Sequence, residues 1–213
     1  MSPSRVAVID YGLCNIDSVV RAVDECGGTP VVTFQRKEIE RATHIILPGV
    51  GAFCDAMKNL HERSLLEVLT ECVMEKKVPF LGICLGMQLL ADKGWEGGET
   101  SGLGWISGEV QRLVPATPTE RIPHVGWNDV QQCLPSPLWE GIPPEKDFYF
   151  VHSYHFCPAD EAHAIGRTPY CGTFTSAIAH GNIFGTQFHP EKSQKAGFRL
   201  LKNFLALPSP VSC

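Results

Sequence analysis

Apolar residues recur along this chain in two spacings. In Arg5 to Ile9, Val31 to Phe34, His44 to Leu47 and Val78-Pro79-Phe80-Leu81 they alternate or run on, rich in β-branched types, which predicts short buried strands. Between the strands the period lengthens. Ile16, Val19, Val20 and Val23 fall on one face of a helix that Asn15 is expected to cap and that Gly27-Gly28 stops. Ser64 with Glu67 reads as a capping box, and Leu65, Leu66, Leu69 and Val73 supply the next apolar stripe. After Leu81 a turn of almost no length leads into Met87-Gln88-Leu89-Leu90-Ala91, read as helix. Strands this apolar, alternating with helices, predict a parallel sheet covered on its faces.

The second half has a different pattern. Asp92 to Gly108 is glycine-rich and reads as irregular surface. Short strands are expected at Glu109 to Val114, Val125 to Val130, Asp147 to Val151, His163 to Gly166, Ser176 to Ala179 and Ile183 to Phe188, with His180-Gly181-Asn182 as a hairpin turn. A closing helix is expected from Gln194 to Ala206, capped by Ser193, with Phe198, Leu201, Phe204 and Leu205 inward. Pro208 and Pro210 end it, and a loose tail follows. The fold class expected is α/β: a mostly parallel central sheet flanked by helices, with antiparallel strand additions in the C-terminal half. No linker composition divides the chain, so residues 1–213 are expected to form a single domain.

Charge and composition narrow the partners. A formal net charge of −5 without a basic run argues against nucleic acid. No apolar stretch reaches the ~18 residues of a membrane span, and the N-terminus lacks a signal-peptide core, so a cytoplasmic location is expected. Nine cysteines would suggest disulfides in a small secreted chain, but here the count is odd and the positions are scattered. No C-x-x-C occurs, and no metal is expected.

One cysteine stands apart. Gly82-Ile83-Cys84-Leu85-Gly86 is the G-x-C-x-G form of the nucleophile elbow, between a strand and a helix. Its glycines let strand and helix cross, and the turn lifts the thiol above the strand end at a helix N-terminus that favours an anion. A thiolate needs a base, and the base an orienter. Of eight histidines, His44 lies in an apolar strand and His61 in a helical stretch, which suits structural or surface roles. His152 and His155 are three apart on an extended segment and face opposite ways. His189-Pro190-Glu191 fits better. It follows a strand directly, and residues two apart share a side, so the Glu191 carboxylate can fix the His189 tautomer. Cys84 would attack an acyl carbon, with the backbone of Leu85 and of the Pro48-Gly49-Val50-Gly51 loop (Val50, Gly51) as an oxyanion hole. A peptidase, an esterase and an amidase would all be served.

These motifs resemble the class I (triad) glutamine amidotransferases. Gly82-Ile83-Cys84-Leu85-Gly86-Met87-Gln88 is similar to their nucleophile motif, and Phe188-His189-Pro190-Glu191-Lys192 to their closing motif, about 105 residues on. Val8 to Gly12, Leu47 to Phe53, Gly102-Leu103-Gly104-Trp105, Pro123 to Asn128 and Phe150 to Tyr154 resemble one branch, the glutaminase subunits of imidazole glycerol phosphate synthase in histidine biosynthesis. The resemblance favours this branch over the pyridoxal phosphate or anthranilate synthase glutaminases, and intact motifs argue against an idle scaffold. It implies glutamine hydrolysis by Cys84, His189 and Glu191, with ammonia passed to a separate cyclase subunit, a (β/α)8 barrel, in a heterodimer. It further implies Gly49, Gly51, Gln88, His152, Ser153 and Tyr154 as glutamine contacts, and Asn15, Tyr149 and Lys192 near the partner. No cofactor is implied. Cys14 departs from the pattern, standing where relatives have glycine.

Overall fold

The computed structural model describes residues 4–211. Five parallel strands form its centre: β1 (Arg5–Ile9), β2 (Thr29–Thr33), β3 (His44–Gly49), β4 (Phe80–Cys84) and, much later in the chain, β13 (Ile183–Thr186). Their alternation sends Ala7, Ile9, Ile45, Leu47 and Phe80 to one core, and Val6, Val8, Ile46, Leu81 and Ile83 to the other. On the first face lie α2 (Arg36–Glu40), α3 (Phe53–Glu62) and α4 (Leu65–Thr70), burying Ile39, Phe53, Ala56, Leu60, Val68 and Leu69. The second is covered by α1 (Ile16–Glu25) and α6 (Gln194–Leu205), through Val19, Val23, Leu200, Leu201 and Phe204. Each fully buried side chain of this size stabilises by about 1.5–3 kcal/mol, so the two faces dominate the energetics.

Beyond β13 the sheet turns antiparallel. β12 (Phe174–His180), β11 (Ala164–Thr168), β8 (His124–Gln132) and β9 (Lys146–His152) follow in that spatial order, making nine strands. The expected parallel core with antiparallel additions is thus the observed architecture. A second, four-stranded sheet pairs β10 (Tyr154–Pro158) with β7 (Gly108–Arg112), and β7 with the two-residue β5 (Lys93–Gly94), which meets β6 (Thr100–Ser101). The stretch read as irregular, Asp92 to Gly108, therefore carries part of a sheet.

Several local expectations are corrected. Neither α2 nor most of α3 was foreseen, because α3 starts inside the glycine loop and its apolar positions are spaced by polar ones. The Ser64 capping box does not form: Ser64 takes a left-handed φ of 55° at the joint between α3 and α4, and its side chain makes no cap bond. Asn15 makes no side-chain cap bond to α1 either. Ser193 leaves α6 uncapped because its hydroxyl is used elsewhere. Of the inward residues expected on α6, Leu201 and Phe204 are buried, while Phe198 and Leu205 are only partly so. The helix after Leu81, α5 (Leu85–Gln88), is a single turn. The last two residues of the expected tail lie outside the described region.

Candidate active site

Register brings the two halves of the site to one place. β4 and β13 pair in parallel, Ile83 opposite Thr186, so Cys84 and the residues after Thr186 emerge at the same end of the sheet. This is the carboxyl end, where open α/β sheets bind ligands. Cys84 itself has φ 55° and ψ −109°, the strained turn that a nucleophile elbow requires. Its glycines are needed sterically: a Cβ on Gly86 would lie 1.8 Å from the Leu47 carbonyl oxygen, and one on Gly82 2.5 Å from that of Gly86.

Across from the thiol stands His189. Its Nδ1 lies 2.7 Å from Glu191 Oε1, and the side chains of both residues are almost wholly buried. Its Nε2 makes no hydrogen bond and is left to face the sulfur of Cys84. Burial works against a protonated ring, but Cys84 and the Glu191 carboxylate outweigh it and push His189 up to about 10. The ring is thereby equipped to hold a thiol proton. Its backbone is fixed on both sides: the His189 amide donates to the Tyr149 carbonyl at 2.9 Å, and the Ser193 hydroxyl donates to the His189 carbonyl at 2.6 Å. The same hydroxyl accepts from the Tyr149 amide at 3.0 Å, which is why it does not cap α6.

Beside Cys84 opens a cavity walled by Val50, Gly51, Leu85, Gln88 and Glu96 and, opposite, by Val151, His152, Ser153 and Tyr154. Most of the expected substrate contacts line it. Gly49 does not: it ends β3 and is buried behind the wall, packed against Tyr11. Gln88 is fastened by bonds from its Nε2 to the Tyr154 carbonyl (2.9 Å) and to Gln187 Oε1 (3.0 Å). Among the expected oxyanion donors, the Leu85 amide opens helix α5 and so has no intrahelical acceptor. The Val50 amide is not free, since it donates to the Leu13 carbonyl at 2.9 Å. Two residues escaped sequence reasoning. Gln187 is fully buried and donates to Cys84 Sγ at 3.6 Å, and Glu96 brings a carboxylate to the cavity from the glycine-rich stretch. For Gln187 the signal was adjacency to His189; for Glu96 no pattern marks it.

The expected partner residues lie around the same end of the sheet. Asn15 is exposed after β1, Lys192 Nζ sits 6.0 Å from the Tyr149 ring centre, and the Trp127 ring packs edge-on to Tyr149 with centres 6.0 Å apart. His44 and His61 behave as read, one buried in β3 and one exposed on α3.

Comparison with known proteins decides the family. The family of glutamine amidotransferase class-I matches residues 7–207. The chain belongs to that family. It is 48% identical over 199 residues to the imidazole glycerol phosphate synthase subunit HisH of Moorella thermoacetica, covering 93% of each chain. It is 47% identical over 209 residues to the HisH subunit of Rhodospirillum rubrum, covering 94% of this chain and 98% of that one. In fold, this amidotransferase is similar to PurLQS from Thermotoga maritima, with a TM-score of 0.72 at 17% identity over 96% of this chain and 98% of that one. It is likewise similar to a solved glutamine amidotransferase (TM-score 0.71, 20% identity, 94% and 96% covered).

Proposed function

We propose that this amidotransferase hydrolyses glutamine to glutamate and ammonia, and that the ammonia is delivered to a cyclase subunit making imidazole glycerol phosphate in histidine biosynthesis. The observation that carries the chemistry is the buried His189–Glu191 pair at 2.7 Å, facing a thiol held on a strained turn beside a cavity. The curated relatives, at 47–48% identity, carry the pathway. In this reading Cys84 Sγ attacks the carboxamide carbon of glutamine while His189 takes the thiol proton, and a tetrahedral oxyanion forms. The C–N bond breaks as His189 returns that proton to the departing nitrogen, leaving a thioester and ammonia. Water, deprotonated by His189, then releases glutamate and regenerates the thiol. Glu191 holds Nδ1–H of the imidazole so that Nε2 points at sulfur.

The oxyanion takes one bond from the Leu85 amide. The second donor is the Val50 amide after it lets go of Leu13, or the neighbouring Gly51 amide. Gln88, Gly51 and the His152-Ser153-Tyr154 wall seat the amino acid, and Glu96 suits its ammonium group. The partner, read as a (β/α)8 barrel in a heterodimer, would dock on the exposed apolar strip of Val125, Trp127 and Val151 (36–57% exposed) with Tyr149, Lys192 and Asn15 around it. That strip adjoins the cavity, as a route for ammonia requires. Residues 1–213 are read as one amidotransferase domain acting in the cytoplasm; among the described residues no helix is long and apolar enough to cross a membrane.

The test is glutamate release by purified protein with a cyclase partner and its ribonucleotide ligand. The partner should stimulate release, and Cys84→Ala should abolish it. Release that survived the substitution would remove Cys84 as nucleophile, and stimulation only by a different synthase would remove the pathway.

A further inference from the structure

One buried group beside the cavity has no part in the chemistry above. His124 on β8 pairs directly with His152 on β9, and both rings are shut away from solvent. His124 Nδ1 and His152 Nε2 are 3.0 Å apart. The other nitrogen of His152, Nδ1, is 2.8 Å from the Tyr154 carbonyl oxygen, and Asn128 Nδ2 lies 3.3 Å from His124 Nε2. Burial keeps both rings neutral, pushing His124 down to about 4 and His152 to about 3.

These contacts settle where the protons are. A carbonyl oxygen only accepts, so His152 Nδ1 carries a hydrogen. In a neutral imidazole Nε2 is then an acceptor, so His124 Nδ1 must donate to it. His124 Nε2 is left to accept from the Asn128 amide. The bonds therefore run one way, from Asn128 through His124 and His152 to Tyr154. The end of the run matters, because the Tyr154 carbonyl also receives Gln88 Nε2 at 2.9 Å. That oxygen joins the two walls of the cavity next to Cys84.

We propose that His124, which does not line the cavity, is a positioning residue for glutamine binding: by donating to His152 it fixes that ring as the Nδ1–H tautomer and so holds the Tyr154 carbonyl, with the 152–154 wall, in the shape that receives the substrate. This rests on the glutaminase reading. The rival role is a flat filler, since the His124 ring stacks on Tyr170 at 4.0 Å and near Phe150 at 4.9 Å. Two substitutions separate the roles. His124→Phe keeps a flat ring in the stack and loses the donor. His124→Asn sets an amide N–H close to the place of Nδ1 and loses the stack.

On a Cys84→Ala background, glutamine binding is measured by calorimetry. His124→Phe should weaken it about tenfold, the effect of one lost hydrogen bond, while His124→Asn stays within about threefold of the parent. With Cys84 intact and the partner present, His124→Phe should raise KM by a similar factor with kcat nearly unchanged. Thermal midpoints should rank the other way, the Phe variant near the parent and the Asn variant lower. Nitrogen spectra of the free protein at neutral pH should give Nδ1–H tautomers for both rings. Unchanged glutamine binding in a folded Phe variant, an Asn variant as weak as the Phe one, or an Nε2–H tautomer at His152 each overturns the proposal. A parent that binds no glutamine overturns the function itself, and the ring spectra, read without substrate, tell that failure from a failure of the relay.

Discussion

Cys84 occupies a backbone region that costs a non-glycine residue on the order of 1–3 kcal/mol. The strain persists because Gly82 and Gly86 let β4, α5 and Leu47 close around it with no room for a Cβ. This much was readable from the G-x-C-x-G spacing, since the spacing is itself a steric requirement. The pairing of His189 with Glu191 was readable from their spacing but not by the geometry expected of it: only His189 is extended, and a 3-10 turn over Pro190–Lys192, not extended chain, brings the carboxylate back to Nδ1. Glu191→Gln keeps the shape but turns an obligate acceptor into a group whose N–H can face Nδ1, favouring the wrong tautomer. Partner-stimulated kcat should fall at least about a hundredfold while the variant stays folded, as measured by glutamate release beside circular dichroism. An unaltered kcat would mean that the carboxylate does not orient the ring. Glu96 and Gln187 reach the site from positions that no periodicity marks, because their neighbours are set by the tertiary fold.

Among the elements, α6 shows how packing overrides propensity. Gly197 sits in its first turns, and a Cβ there would lie 1.9 Å from the Pro190 carbonyl oxygen, in the turn that carries His189 and Glu191. Helix propensity alone would make Gly197→Ala stabilising by up to about 1 kcal/mol. The overlap is with backbone, which cannot swing aside, and forced packing costs about 1–3 kcal/mol. The expected outcome is a lower urea midpoint together with a kcat reduced about tenfold, because the turn is pushed from Cys84. A stabilised, fully active variant would contradict this account. The caps tell the same story from the sequence side. Ser193 has the residue type of an N-cap and sits where one belongs, yet its hydroxyl serves the Tyr149 amide and the His189 carbonyl. Ser64 is lost as a cap to its left-handed backbone. The strands of the main sheet, α1 and α6 were legible because burial on one face leaves a period; α2, most of α3 and the small second sheet were not, and the caps were lost to local backbone at Ser64 and to a distant partner at Ser193.

For the molecule as a whole, the histidines set the pH range. His44, His124 and His152 are buried and held down to about 4, 4 and 3. Their unfolded value is near 6.5, so below it the unfolded chain takes up protons that the folded chain refuses, and stability falls between pH 6.5 and 4. His189 is raised, so its contribution is complete below 6.5 and lost as pH climbs toward about 10. Stability should therefore peak near neutrality. His44→Leu should flatten the acid limb by on the order of 2–3 kcal/mol in urea unfolding at pH 4, against pH 7 as reference. An unchanged slope would place the acid sensitivity elsewhere. The sheet order carries one more consequence. β13 lies between β4 and β12, yet it is the last strand of the chain. During synthesis Cys84 leaves the ribosome about a hundred residues before β13 and the His189 that follows it. Until then β4 is an open, wholly apolar edge, and sticking to other chains is the hazard. The thiol spends that time without His189 beside it, so under the proposed mechanism one late insertion both seals the sheet and completes the site.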